Sequence, residues 1–245
     1  MMRRAIVRAI AVLAALGGAC ENSPGRPRPD QVVLAPDEVE NAAILYAKNC
    51  RGCHGPDGND GPSIPLGNSV YLAIAEDAAI TRTTARGVPG TPMPAFAKSA
   101  GGMLTDKQID AVVGEIRSWA KPDVVGDASW PRHEARGPGD AQRGAGVYAE
   151  YCAHCHGPEG KGGARASSIV EGSYLALVSD QDLRTNVIVG RPEMGAPDFR
   201  DDVPGKPRSD QEITDVVAWL AAQRPRLPGQ PYPSQEPERK LGEIP

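Results

Sequence analysis

Four of the five cysteines stand in two copies of one pattern, Cys50-Arg51-Gly52-Cys53-His54 and Cys152-Ala153-His154-Cys155-His156. Two thiols one helical turn apart can add to the two vinyl groups of a haem as thioethers. The imidazole of the next residue then lies beneath the iron as its proximal ligand. The pattern assigns Cys50, Cys53 and His54 to one haem and Cys152, Cys155 and His156 to a second. A disulfide has no need of a histidine after each second cysteine. Zinc would need two such cysteine pairs sharing one metal, and these pairs lie a whole repeat apart.

A low-spin electron-transfer iron needs a second axial ligand, and a thioether favours the reduced state. The chain has five methionines, two of them at its start. Met93, in Thr91-Pro92-Met93-Pro94-Ala95-Phe96, follows His54 by 39 positions, and Met194, in Pro192-Glu193-Met194-Gly195-Ala196-Pro197, follows His156 by 38. Met93 and Met194 are therefore the expected sixth ligands. Met103 adjoins a helix start and is read as local packing. His154, inside its own motif, is placed near a haem edge, and His133 lies in a linker.

These residues must be positioned by elements that occur twice. Ala43-Ile44-Leu45-Tyr46 before the first motif answers to Ala145-Gly146-Val147-Tyr148 before the second, at a spacing of about a hundred residues. Each copy is expected to have a helix before its cysteines and another at its end. The latter helices open with Thr105-x-x-Gln108 and Ser209-x-x-Glu212, both capping boxes. Ile109, Val112, Val113 and Ile116 then recur at helical spacing, as do Ile213, Val216, Val217 and Leu220. No period-two strand is evident. The fold class is all-α: two domains in tandem, 35–121 and 139–224, each a few helices wrapped around one covalent haem. Residues 122–138 read as a linker and 225–245 as a Pro-rich tail. Between the helices the loops are long and need the cofactor for support.

Residues 1–19 read as a secretory signal, with Arg3, Arg4 and Arg8 ahead of the apolar run Ala9 to Leu16. That run is short for a membrane span. Cys20, directly after small residues, resembles a bacterial lipoprotein cleavage site, although Leu16 lies one position too far upstream. A lipidated Cys20 with a stiff tether over 20–34 would hold the protein at the periplasmic face of a membrane.

The formal net charge is −4 at pH 7, and loss of the signal would remove three positive charges. This disfavours nucleic acid and anionic lipid surfaces as partners. The 28 glycines, 24 prolines and 4 % aromatic content leave little for two large cores. A buried haem would supply the missing apolar surface to each small domain.

Each domain resembles the small class of monohaem cytochrome c domains, and the chain resembles a tandem dihaem member. The resemblance rests on the Cys-x-x-Cys-His motifs and on Met93-Pro94-Ala95-Phe96. It implies that the first and last helices cross at a small residue near an aromatic, Ala42 with Tyr46 and Gly144 with Tyr148. It also implies that the carbonyl of Pro62 accepts the proximal imidazole N–H. The second domain departs here, with Ala164 in that place and no proline after Met194. The function implied is one-electron transfer between respiratory partners, a quinol-oxidising complex and a terminal oxidase, by an anchored carrier or a complex subunit. The alternative is a dihaem redox enzyme, peroxidase-like or thiosulfate-oxidising, with a labile axial position. A gas-binding sensor ranks last.

Overall fold

The computed structural model describes residues 33–127, 129–201 and 203–225. The signal over 1–19, Cys20, most of the tether and the tail beyond Pro225 lie outside the described residues. The chain divides into two compact units, one up to Val39 and one from Glu40 onward. The described part of the first holds a 3-10 turn, Pro36–Glu38.

The second unit contains both repeats. In the first repeat the helices are α1 (Ala42–Asn49), α2 (Arg51–His54), α3 (Ser69–Ile74), α4 (Asp77–Arg86) and α5 (Asp106–Ser118). In the second they are α6 (Ala141–Tyr151), α7 (Ala153–His156), α8 (Gly172–Leu177), α9 (Asp180–Val189) and α10 (Asp210–Ala222). Among the described residues there are no strands, only two isolated bridges, Ala97 with Leu104 and Arg191 with Ala196. The all-α expectation holds, and the two copies have the same element order.

The end helices form for the reasons legible in their sequences. Thr105 accepts from the Gln108 N–H and Ser209 from the Glu212 N–H, and both capping boxes close reciprocally. The stripes Ile109–Ile116 and Ile213–Leu220 are buried. Each such side chain contributes about 1.5–3 kcal/mol when withdrawn from water. α5 packs on α1 and α4, and α10 on α6 and α9. Tyr46 meets Trp119 edge-on at 4.8 Å, and Tyr148 stacks on Trp219 at 4.2 Å.

The middle of each repeat is more ordered than long loops would be. α3 is capped by Asn68, α8 by Glu171 and α9 by Ser179. An arginine then pins each α3–α4 or α8–α9 corner. Arg117 donates to the Leu72 carbonyl at 2.7 Å and also reaches the Ala75 carbonyl and Asp77. In the second repeat Arg224 donates to the carbonyls of Leu175 and Val178, at 3.1 and 3.0 Å, and to Asp180. The same two backbone carbonyls and one carboxylate are held from different places, one inside α5 and the other just past α10. Each saturates C-terminal carbonyls that a short helix leaves unsatisfied.

The segment 122–138 forms no helix among its described residues, yet it is strapped down. The buried Arg184 on α9 donates to the carbonyls of Arg132 and His133 and to Thr214 Oγ1, and pairs with Asp210. The Arg132 N–H bonds Asp210 in turn, and Gln181 donates to the His133 carbonyl at 2.8 Å. Toward the first repeat, Glu134 pairs with Arg82, and the His133 ring meets Tyr71 edge-on at 5.8 Å.

Candidate functional site

Each cysteine motif begins at a helix junction. Cys50 caps α1 and leads into the single turn α2, which ends on His54; Cys152 does the same between α6 and α7, ending on His156. No disulfide joins the four cysteines. Among the described residues no cluster of three or more Cys, His, Asp or Glu could hold a bare metal ion. Cys50 is buried, and burial, with the neighbouring Cys53 adding to it, pushes its thiol pKa up to about 11. Burial thus favours the neutral thiol. Cys53 is exposed.

Both turns are fastened identically. The Tyr46 hydroxyl donates to the Gly55 carbonyl at 2.8 Å, and the Tyr148 hydroxyl donates to that of Gly157. Gly55 and Gly157 have φ of 83° and 78°. At Gly55 a Cβ would lie 2.6 Å from the Asn59 carbonyl carbon, so the backbone conformation and the space both require glycine.

The imidazoles are oriented by carbonyls. His54 Nδ1 lies 3.0 Å from the Ile64 oxygen, and His156 Nδ1 lies 2.8 Å from the Ser167 oxygen. With Nδ1–H donating, Nε2 carries the lone pair, the state an iron ligand needs. His54 is buried, and burial holds its pKa below the ordinary value. The expected acceptor, Pro62, is not the one used. The loop carries Ile64 back beneath the ring, and in the second repeat Ser167, not Ala164, does so. An acceptor here needs only a backbone oxygen at the right height, so residue type gave no signal for it.

The methionines differ. Met93 is partly buried, in a loop closed by the Val88 N–H donating to the Met93 carbonyl at 3.0 Å. Met194 ends the 3-10 turn Pro192–Met194 and is 74 % exposed. Met103 is 68 % exposed, which corrects its reading as a packing residue. His154 is exposed.

The helix crossing at Gly144 is as expected. A Cβ there would lie 2.9 Å from the Trp219 Cβ. The repeats also touch near the site. Arg191, three residues before Met194, donates to the Gly61 carbonyl at 2.8 Å, and Asn68 donates to the Val189 carbonyl at 3.4 Å. Nothing in the sequence pattern marked these two contacts.

The paired geometry matches a known family twice. The model of the cytochrome c oxidase, cbb3-type, subunit III family matches residues 37–114 and 139–220. The chain belongs to this family. It is a tandem c-type cytochrome with two covalently bound haem c groups, and the donor set described above fits them.

Over 132 residues the chain is 33 % identical to a cbb3-type cytochrome c oxidase subunit CcoP of Azospirillum sp., covering 49 % of this chain and 40 % of that one. It is 27 % identical to subunit FixPc of Rhizobium leguminosarum bv. viciae, over 74 % of this chain and 50 % of that one. A cytochrome bc1 complex cytochrome c subunit of Mycobacterium tuberculosis is 28 % identical over 82 % of this chain and 71 % of its own. The chain thus spans half or less of the two oxidase subunits. Among solved structures, a chain of the Kuenenia stuttgartiensis reducing HAO-like protein complex aligns with a TM-score of 0.45 and 22 % identity, over 79 % of this chain and 100 % of that one. No helix among the described residues is long and apolar enough to cross a membrane.

Proposed function

We propose that this cytochrome passes single electrons between a quinol-oxidising complex and a terminal oxidase, as an anchored carrier or as a subunit of one of them. Cys50 and Cys53 attach the first haem, with His54 as its proximal ligand and Met93 as its distal one. Cys152 and Cys155 attach the second, with His156 proximal. When bound, each haem supplies a one-electron Fe(III)/Fe(II) couple.

The chain's own residues do the rest. The Ile64 and Ser167 carbonyls fix the imidazole planes and the tautomer. Tyr46 and Tyr148 hold the attachment turns in place through the Gly55 and Gly157 carbonyls. The Arg191–Gly61 contact joins the loop after α9 in the second repeat to the loop that follows the first attachment turn, which suits a short wire for electrons. The observation that carries the reading is the repeated Nδ1-to-carbonyl bond, which readies both imidazoles for iron. Relatives named as subunits of a bc1 complex and of cbb3 oxidases support the choice of partners.

Matured outside the cytoplasm, the full chain should give two haems in a pyridine haemochromogen assay and stay coloured on denaturing gels. The Cys50→Ala/Cys53→Ala and Cys152→Ala/Cys155→Ala variants should each retain one. A colourless wild type would end the proposal. Lipidation at Cys20 would tether the protein at the periplasmic face. Labelling with a radioactive fatty acid should mark the wild type and leave Cys20→Ala unlabelled.

A further inference from the structure

The turns that follow α4 and α9 share two backbone hydrogen bonds at corresponding positions. In the first repeat the Thr91 N–H donates to the Val88 carbonyl at 3.2 Å and the Val88 N–H to the Met93 carbonyl at 3.0 Å. In the second, the Met194 N–H donates to the Arg191 carbonyl at 2.8 Å and the Arg191 N–H to the Ala196 carbonyl at 2.9 Å.

The glycines that end the helices give the same register. Gly87, at φ 67°, approaches so closely that a Cβ would lie 2.7 Å from the Met93 oxygen; Gly190, at φ 65°, stands 2.6 Å in the same sense from the Ala196 oxygen. Proline follows at Pro94 and Pro197. Phenylalanine follows at Phe96 and Phe199; the Phe96 amide returns to Thr84, three residues before Gly87, and the Phe199 amide to Ile188, two before Gly190, so the correspondence holds through the turn and shifts by one where the chain rejoins the helix.

In this register Ala196 stands where Met93 stands, and Met194 stands where Thr91 stands. Met194 is held two residues upstream in its 3-10 turn, which is further fixed by Arg191 pairing with Glu193. Alanine has no donor atom.

We propose that the distal side of the second haem lacks a protein ligand in register and is an exchangeable site for small ligands. The natural occupant class is a neutral diatomic on ferrous iron or a small nitrogen base on ferric iron. The first haem, closed by Met93, is not such a site. This rests on the assignment of Cys152, Cys155 and His156 to a haem.

The test uses the full-length, matured holoprotein and begins with the haemochromogen count. Two haems per chain establish the assignment; one would overturn it and this proposal together. The dithionite-reduced protein is then titrated with carbon monoxide. One carbon monoxide per chain is expected, with Met194→Ala unchanged. Met93→Ala should raise the count to two. In the Ala196→Met/Met194→Ala protein the second haem should gain a methionine-to-iron charge-transfer band and binding should fall to none.

Titration of the ferric protein with imidazole gives an independent reading: half the haem should respond, again irrespective of Met194. Two haems with no carbon monoxide bound, or a site that opens only when Met194 is removed, would overturn the proposal and restore Met194 as the ligand.

Discussion

Gly144 on α6 sits against the carbonyl group of Asp215 on α10, so closely that a Cβ would lie 2.6 Å from the carbonyl carbon. Two residues along the same helix, Gly146 has nothing within 4 Å of such a Cβ. The two glycines therefore respond in opposite directions to the same change. Gly144→Ala forces the end helices apart and should cost about 1–3 kcal/mol, as overpacking does. Gly146→Ala should gain about 0.5–1 kcal/mol through helix propensity. Chemical denaturation of the holoproteins, followed at a haem band, measures both. Equal effects would mean that the helices do not cross at Gly144.

Arg184 is buried among Arg132, His133, Asp210 and Thr214 and carries the strap between the repeats. Arg184→Ala removes several hydrogen bonds worth about 1 kcal/mol each, for a loss of roughly 2–4 kcal/mol. Lysine should not rescue it, because one ammonium cannot serve the two backbone carbonyls and Thr214 as the planar fork does. The check is the midpoint of urea unfolding, together with the rate of proteolysis within 122–138, which should rise in both variants.

His133 gives a pH dependence. Burial lowers its pKa, Arg184, Arg82 and Arg117 push the same way, and Glu134 opposes them. Its Nδ1 is buried with no hydrogen-bond partner. The folded protein therefore keeps the neutral ring at pH values where the unfolded chain takes up a proton. Stability from this source is complete above the ordinary value of 6.5 and is lost as pH falls below it toward the folded pKa. The melting temperature of the wild type should fall relative to His133→Gln between about pH 7 and 5. Parallel curves would sink this reading. Comparing proteins that differ only at this residue cancels the other titrations.

Met93→Ala should lower the midpoint potential of one haem and leave the other in place, because a thioether favours the ferrous state. A potentiometric optical titration resolves the two couples. If neither moves, Met93 is not a ligand of the first haem.

The end helices and the attachment motifs were legible because their signals are local: a capping box, an apolar stripe, a five-residue pattern. α3 and α8 were not, being six residues each and too short to display a period. α4, Asp77–Arg86, was hidden by its polar face of threonines and arginines. The proximal carbonyls at Ile64 and Ser167 left no trace, since any residue can offer one.

The second distal residue was obscured by arithmetic. Met194 lies 38 positions after His156 and Ala196 lies 40 after it, against 39 for Met93 after His54, so spacing could not choose between them. The backbone bonds could, because they count residues from the helix end rather than from the histidine.

The strap at Arg132–Glu134 is held to both repeats by side chains, with continuity of the chain adding only local concentration. Its holds differ in strength: Arg184, Gln181 and Asp210 bind it to the second repeat by several hydrogen bonds, whereas Arg82 meets it from the first in an exposed ion pair, so the strap would move as part of the second repeat.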